Sequence, residues 1–136
     1  MSRIRGRGVV GGRARGPALL GREPISFLGD LDIRTGEVVG DLASLKGRRL
    51  GGRVLVVPST MGSAGAWRFL YQLHVHGQAP VALVTVAMPD PSVVQGAILA
   101  EIPILAQPEA DLLELLEDGE AIEVDGDEGV LRRLDP

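Results

Sequence analysis

The chain of 136 residues contains no cysteine. It can form no disulfide, hold no thiolate zinc site or iron–sulfur cluster by itself, and use no thiol nucleophile. Only two histidines occur, His74 and His76, too few for the usual three-ligand catalytic zinc site without several carboxylates. Aromatics are as scarce: Phe27, Trp67, Phe69 and Tyr71 offer few platforms for stacking bases, which argues against single-stranded nucleic acid as a partner. No window approaches the roughly 20 apolar residues of a membrane span, and the Arg-rich start leads into no apolar stretch with a cleavage site. These absences predict no metal ligands in this chain, no nucleic-acid or membrane partner, and a cytoplasmic setting.

What is present is an ordinary globular balance, 45% hydrophobic and 24% charged residues, in a length that suits one domain over residues 1–136. Charge is unevenly placed. Residues 1–68 hold twelve Lys+Arg against five Asp+Glu, and residues 69–136 hold two against thirteen. Such a split suits an anionic ligand or an acidic partner, or else a surface on which folding interleaves the two halves.

Gly6 to Leu20 carries glycines at 6, 8, 11, 12 and 16, too many for a helix, and reads as strand with bends. Gly6, Gly8 and Gly11 imitate a dinucleotide fingerprint but neither follow a strand nor open a helix. Ile25 to Leu28 and Glu37 to Val39 flank turn residues, giving a β-hairpin or a connecting loop. Asp30, Asp32 and Glu37 lack the spacing of a calcium loop and read as solvated turn carboxylates. Residues 41–53 form a connector with Lys46, Arg48, Arg49 and Arg53.

The centre is better organised. Val54 to Val57 is a short buried strand ending at Pro58, Ser59 to Gly65 a loop of small residues, Ala66 to His76 a helix, and Pro80 to Ala87 a second buried strand. A shorter copy follows, with a helix over Ser92 to Ala100 and a strand over Ile102 to Leu105. This β-loop-α-β pattern makes parallel strands. Glu109 to Glu117 has helical leucine spacing, and Ala121 to Val124 with Val130 to Leu134 reads as a final hairpin.

Ligands of open α/β sheets collect where a strand's carboxyl end meets a helix amino end, because first-turn amides are unpaired and the dipole favours anions. That place is the loop Ser59 to Gly65, where Gly62 and Gly65 leave room around Ser63. Two readings stand for Ser63: a helix N-cap, or a reactive hydroxyl beside free amides. A nucleophile elbow needs glycine where Met61 stands, and His74 and His76 lie on the following helix, so a serine hydrolase is excluded. The histidines read as packing or surface residues.

Several stretches carry a resemblance: GRGVVGGRARGPALL, EPISFLG, TGEV, GGRVLVVPSTMGS, LYQL with GQAP, and GAILAEIPIL. Their order and spacing resemble the small, swivel-domain subunit of the aconitase X family. The resemblance implies an α/β fold, a swivelling β/β/α domain like the last domain of aconitase. It also implies a separate large subunit that binds the iron–sulfur cluster, in a heterodimer or higher assembly.

The family's functional serine lies in a Pro-x-x-x-Gly-Ser stretch, which is Pro58 to Ser63 here. The resemblance therefore makes Ser63 the proton acceptor, with the backbone of Gly62 and Ala64 against a small phosphorylated or carboxylate substrate. Free-standing archaeal members imply dehydration of (R)-mevalonate 5-phosphate to trans-anhydromevalonate 5-phosphate. Dehydration of a hydroxyproline-type substrate and a non-catalytic, partner-binding swivel module are the alternatives. Arg48, Arg49 and Arg53 receive no role.

Overall fold

The computed structural model describes residues 3–134. The glycine-rich start forms strand in three pieces, β1 (Arg3–Arg5), β2 (Arg7–Val10) and β3 (Arg13–Leu20). There follow β4 (Val54–Val57), α1 (Ala66–Val75), β5 (Ala82–Thr85), α2 (Pro91–Ala100), β6 (Ile104–Ala106), α3 (Leu112–Leu115), β7 (Ala121–Asp125) and β8 (Val130–Arg133).

All eight strands join in the order β1-β8-β7-β3-β4-β5-β6-β2. The run β3-β4-β5-β6 is parallel, as the repeated strand-helix pattern predicts, and the flanking pairs are antiparallel. β1 and β2 stand at opposite ends of that order, yet only Gly6 separates them in sequence. Two peptide steps reach about 7 Å at most, so the sheet must curl until its two ends meet. Gly6 seals the seam by donating its N–H to the carbonyl of Gly129 at 2.9 Å.

Curling gives the sheet two apolar faces. Ile4, Val54, Val56, Val84, Leu105, Val124 and Leu131 pack on one another inside it, closed off by Leu112 and Leu116. Leu19, Leu55, Val57, Leu83 and Ile104 point outward and are covered by Ala66, Leu70 and Leu73 of α1 and Val93 and Ala97 of α2. Strands covered on both faces need apolar residues at every position, which is why Val54 to Val57 shows no alternation. The helices meet closely at Gly96, where a Cβ would stand 3.0 Å from both Cα and O of Trp67.

The segment between β3 and β4 takes the loop form of the two forms expected. Its β-rich stretches make only single bridges, Ile25 with Thr60, Leu31 with Val38 and Glu37 with Arg49. Turn carboxylates take the amides a ladder would need: Asp30 accepts from Ser26 N–H at 2.8 Å and Asp32 from Arg34 N–H at 2.9 Å, a local competition typical of Asp. The segment is nonetheless core, since Ile25, Phe27, Val38, Leu45 and Leu50 are fully buried. Two further boundaries move. Ile102 donates to the Ala97 carbonyl and Pro103 has no N–H to give, so β6 starts at Ile104. The leucine-spaced stretch after Pro108 yields a single helical turn.

Candidate functional site

β4 and β5 are parallel, with Val57 beside Thr85, so the loops that leave them open side by side at one end of the sheet. The loop after β4 is anchored at its start by Ile25, whose N–H donates to Ser59 O at 3.2 Å and whose carbonyl accepts from Met61 N–H at 2.8 Å. Beyond Met61 the loop comes to the surface. Among the described residues, the N–H groups of Gly62, Ser63, Ala64 and Gly65 donate to no protein backbone carbonyl, and residues 61–64 are exposed.

Of the two readings of Ser63, capping is not realised. The N-cap position of α1 is Gly65, with no side-chain cap, and it is the Ser63 carbonyl that accepts from Ala66 N–H at 3.1 Å. The Ser63 side chain is left at the surface beside four successive backbone donors.

The first turn of α2 supplies the other wall. Asp90 has the extended backbone of an N-cap (φ −63°, ψ 146°) but makes no cap. Its carboxylate instead accepts the Thr60 hydroxyl at 2.7 Å, while its N–H donates back to Thr60 Oγ1 at 3.3 Å. Gly62 lies against that carboxylate so closely that a Cβ there would overlap it. Ser92 Oγ accepts from Trp67 N–H at 3.0 Å and donates to Ala64 O at 3.1 Å. Gly62, Ser63, Ala64, Asp90, Pro91 and Ser92 together line a depression of about 260 Å³. The loops that leave β4 and β5 at this end of the sheet also carry exposed apolar side chains, Met61, Val86 and Met88.

Sequence reasoning named Ser63, Gly62 and Ala64, which line this depression, and did not name Asp90 or Ser92, which line it with them, or Thr60, which is bonded to Asp90. What links them is topological rather than local: adjacent parallel strands bring their exit loops together, and Asp90-Pro91-Ser92 opens the helix after the neighbouring strand. Larger depressions lie elsewhere, one of about 480 Å³ beside Ile33, Trp67 and Tyr71 and one of about 500 Å³ at Gly52, His74 and Glu101. Neither contains Ser63.

The other candidate groups are remote from the loop. Arg48, Arg49 and Arg53 precede β4 whereas Ser63 follows it, and four strand residues span about 13 Å. Arg48 pairs with Asp118 at 2.8 Å. Arg13 with Asp125, Arg15 with Glu123 and Arg22 with Glu114 likewise join the basic half to the acidic half, so folding interleaves much of the charge split. His74 and His76 are exposed at the far end of α1, the latter with Nδ1 2.8 Å from Gln72 O. Among the described residues no three His, Cys, Asp or Glu side chains gather as a metal site. With no cysteine in the chain, its residues do not fit an iron–sulfur cluster.

The aconitase X swivel domain family model matches residues 3–133. The phosphomevalonate dehydratase small subunit of Methanosarcina acetivorans is 40% identical over 134 residues, covering 98% of this chain and 92% of that protein. The subunit of the same name from Methanothermobacter thermautotrophicus is 40% identical over 126 residues, covering 93% of this chain and 95% of that one. The crystal structure of the holo-form of Thermococcus kodakaraensis aconitase X superposes with a TM-score of 0.90 at 32% identity, covering 99% of this chain and 100% of that chain. Sequence likeness and shared backbone extend from the first strand to the last, and the chain belongs to the aconitase X family as a swivel domain.

Proposed function

We propose that this chain is the small subunit of a hydro-lyase that dehydrates mevalonate 5-phosphate, with Ser63 as the proton acceptor. One observation carries the reading. In a chain similar end to end to phosphomevalonate dehydratase small subunits, Ser63 is exposed at the carboxyl end of a parallel strand, next to four backbone N–H groups without backbone partners.

Dehydration removes a proton from one carbon and a hydroxyl from its neighbour. Ser63 Oγ serves the first half: as an alkoxide it forms the new O–H bond while the C–H electrons move into the double bond, and the hydroxyl on the neighbouring carbon leaves with the C–O electron pair to become water. A serine alkoxide is strongly disfavoured in water. The amides of Gly62 to Gly65 and the amino end of α1 favour negative charge at this point, more strongly once water is excluded. The exposed apolar side chains of Met61, Val86 and Met88 on the loops at this end of the sheet support exclusion by a larger partner docked over the loop. The guanidinium of Arg68, whose nearest nitrogen is 3.4 Å from where a Gly65 Cβ would stand, is a cation on hand for an anionic substrate. On this reading the family's iron–sulfur cluster belongs to the large subunit.

Among the described residues no helix is long and apolar enough to cross a membrane. The test is Ser63→Ala co-expressed with the large subunit and assayed on mevalonate 5-phosphate and on hydroxyproline. The expected result is an assembled complex without dehydratase activity, the wild type acting on the phosphorylated substrate alone. Near-normal turnover by the variant would overturn the role of Ser63.

A further inference from the structure

The loop that carries Ser63 is gripped on both sides by one turn of a neighbouring helix. Before Ser63, Thr60 exchanges two hydrogen bonds with Asp90 at 2.7 and 3.3 Å. After it, the Ala64 carbonyl accepts from Ser92, whose oxygen also takes the Trp67 N–H. Between these two grips Gly62 lies flush on the Asp90 carboxylate. Asp90 has left its ordinary capping task to make the first contact, and Ser92 caps α1 from another helix. Neither arrangement is needed to form α2, which has Pro91 at its start and a backbone bond from Val94 N–H to Asp90 O.

We infer that Asp90 and Ser92 are positioning residues that clamp the Ser63 loop, acting through Thr60 and Ala64. The inference rests on Ser63 being the proton acceptor, and it adds which residues fix the hydroxyl's place. Its physical basis is that a misplacement of about 1 Å at a reacting atom costs on the order of 100-fold in rate. Four glycine and small residues from Gly62 to Gly65 cannot hold such a position by their own packing.

The test uses the reconstituted pair of subunits for turnover and the full small chain for ¹⁵N relaxation. Thr60→Val, Asp90→Ala and Ser92→Ala are each expected to lower kcat about 10- to 100-fold with KM within about threefold of wild type and the complex still assembled. Thr60→Val combined with Asp90→Ala is no worse than the poorer single variant, because both remove the same contact. Thr60→Ser and Asp90→Asn, which keep a hydroxyl and an acceptor oxygen, recover most of the loss. In the free chain the order parameters of Gly62 to Gly65 fall in the truncated variants, toward the flexible range below about 0.6.

Turnover within twofold of wild type in Thr60→Val and Ser92→Ala overturns the inference, as do unchanged order parameters in both. Should Asp90→Ala fail to fold, the shape-conserving Thr60→Val decides for that grip. If the wild-type pair leaves mevalonate 5-phosphate untouched, the substrate reading falls and the order parameters alone decide the clamp.

Discussion

Arg15 and Glu123 stand directly opposite each other on the antiparallel strands β3 and β7, and the guanidinium donates to the carboxylate at 2.8 Å. They belong to a ladder across three strands, in which Arg132 of β8 also reaches Glu123 at 3.2 Å and Arg13 reaches Asp125 at 3.0 Å. Both carboxylates are almost fully buried while the side chains of Arg13 and Arg15 are largely exposed.

This ladder sets a pH dependence. The hydrogen bond from Arg15 holds Glu123 below its ordinary range, and the Glu128 N–H, with Arg13, does the same for Asp125. The hydrogen bond from Arg133 lowers Glu120. Groups whose folded values are depressed contribute stability that is complete above their unfolded values, near pH 4, and is lost as pH falls through the folded ones. Denaturant melts should therefore show a level plateau above about pH 5 and a decline below about pH 4. Glu123→Gln should flatten that decline.

Phe27→Ala should destabilise the chain by about 3–5 kcal/mol, the cost of emptying a large buried site. Phe27 lies outside every strand and helix yet is fully buried against the outer face of the sheet. A loss under about 1 kcal/mol in urea unfolding would show that the long loop after β3 packs independently of the core.

Thr85→Val should stabilise by about 1 kcal/mol. The Thr85 hydroxyl is buried and has no hydrogen-bond partner among the described residues, and replacing such a group by an apolar one of the same shape removes a desolvation cost. Thermal melts at constant pH read the change directly. A destabilised variant would instead mark the hydroxyl as partnered in solution.

The middle of the fold was legible because its physics is local. Val54 to Val57, the small-residue loop, the helix from Ala66 and the strand ending near Thr85 follow from runs, breaks and spacing within a few residues, and they place Ser63 at a sheet end. The alternation of inside and outside along β4 was not legible, since a strand covered on both faces shows only apolar residues. Nor was the clamp: Asp90-Pro91-Ser92 is a plausible helix start in its own right, and only the side-by-side exit of two parallel strands turns it toward Thr60 and Ala64. The segment Ile25 to Val39 carries strand-like residues whose amides Asp30 and Asp32 claim for turns, a contest that composition does not decide.

The junction at Gly6 bears on how the chain reaches this structure. Arg3 pairs with Arg132 while Arg7 pairs with Ala106, so closing the sheet waits for residues about a hundred positions or more downstream. Contacts of such separation slow folding and leave strand borders bare in the growing chain. Once closed, the sheet has, among the described residues, no long unpaired border for another chain to extend. The sheet that carries Ser63 is then a single closed unit whose margins are tied together at Gly6.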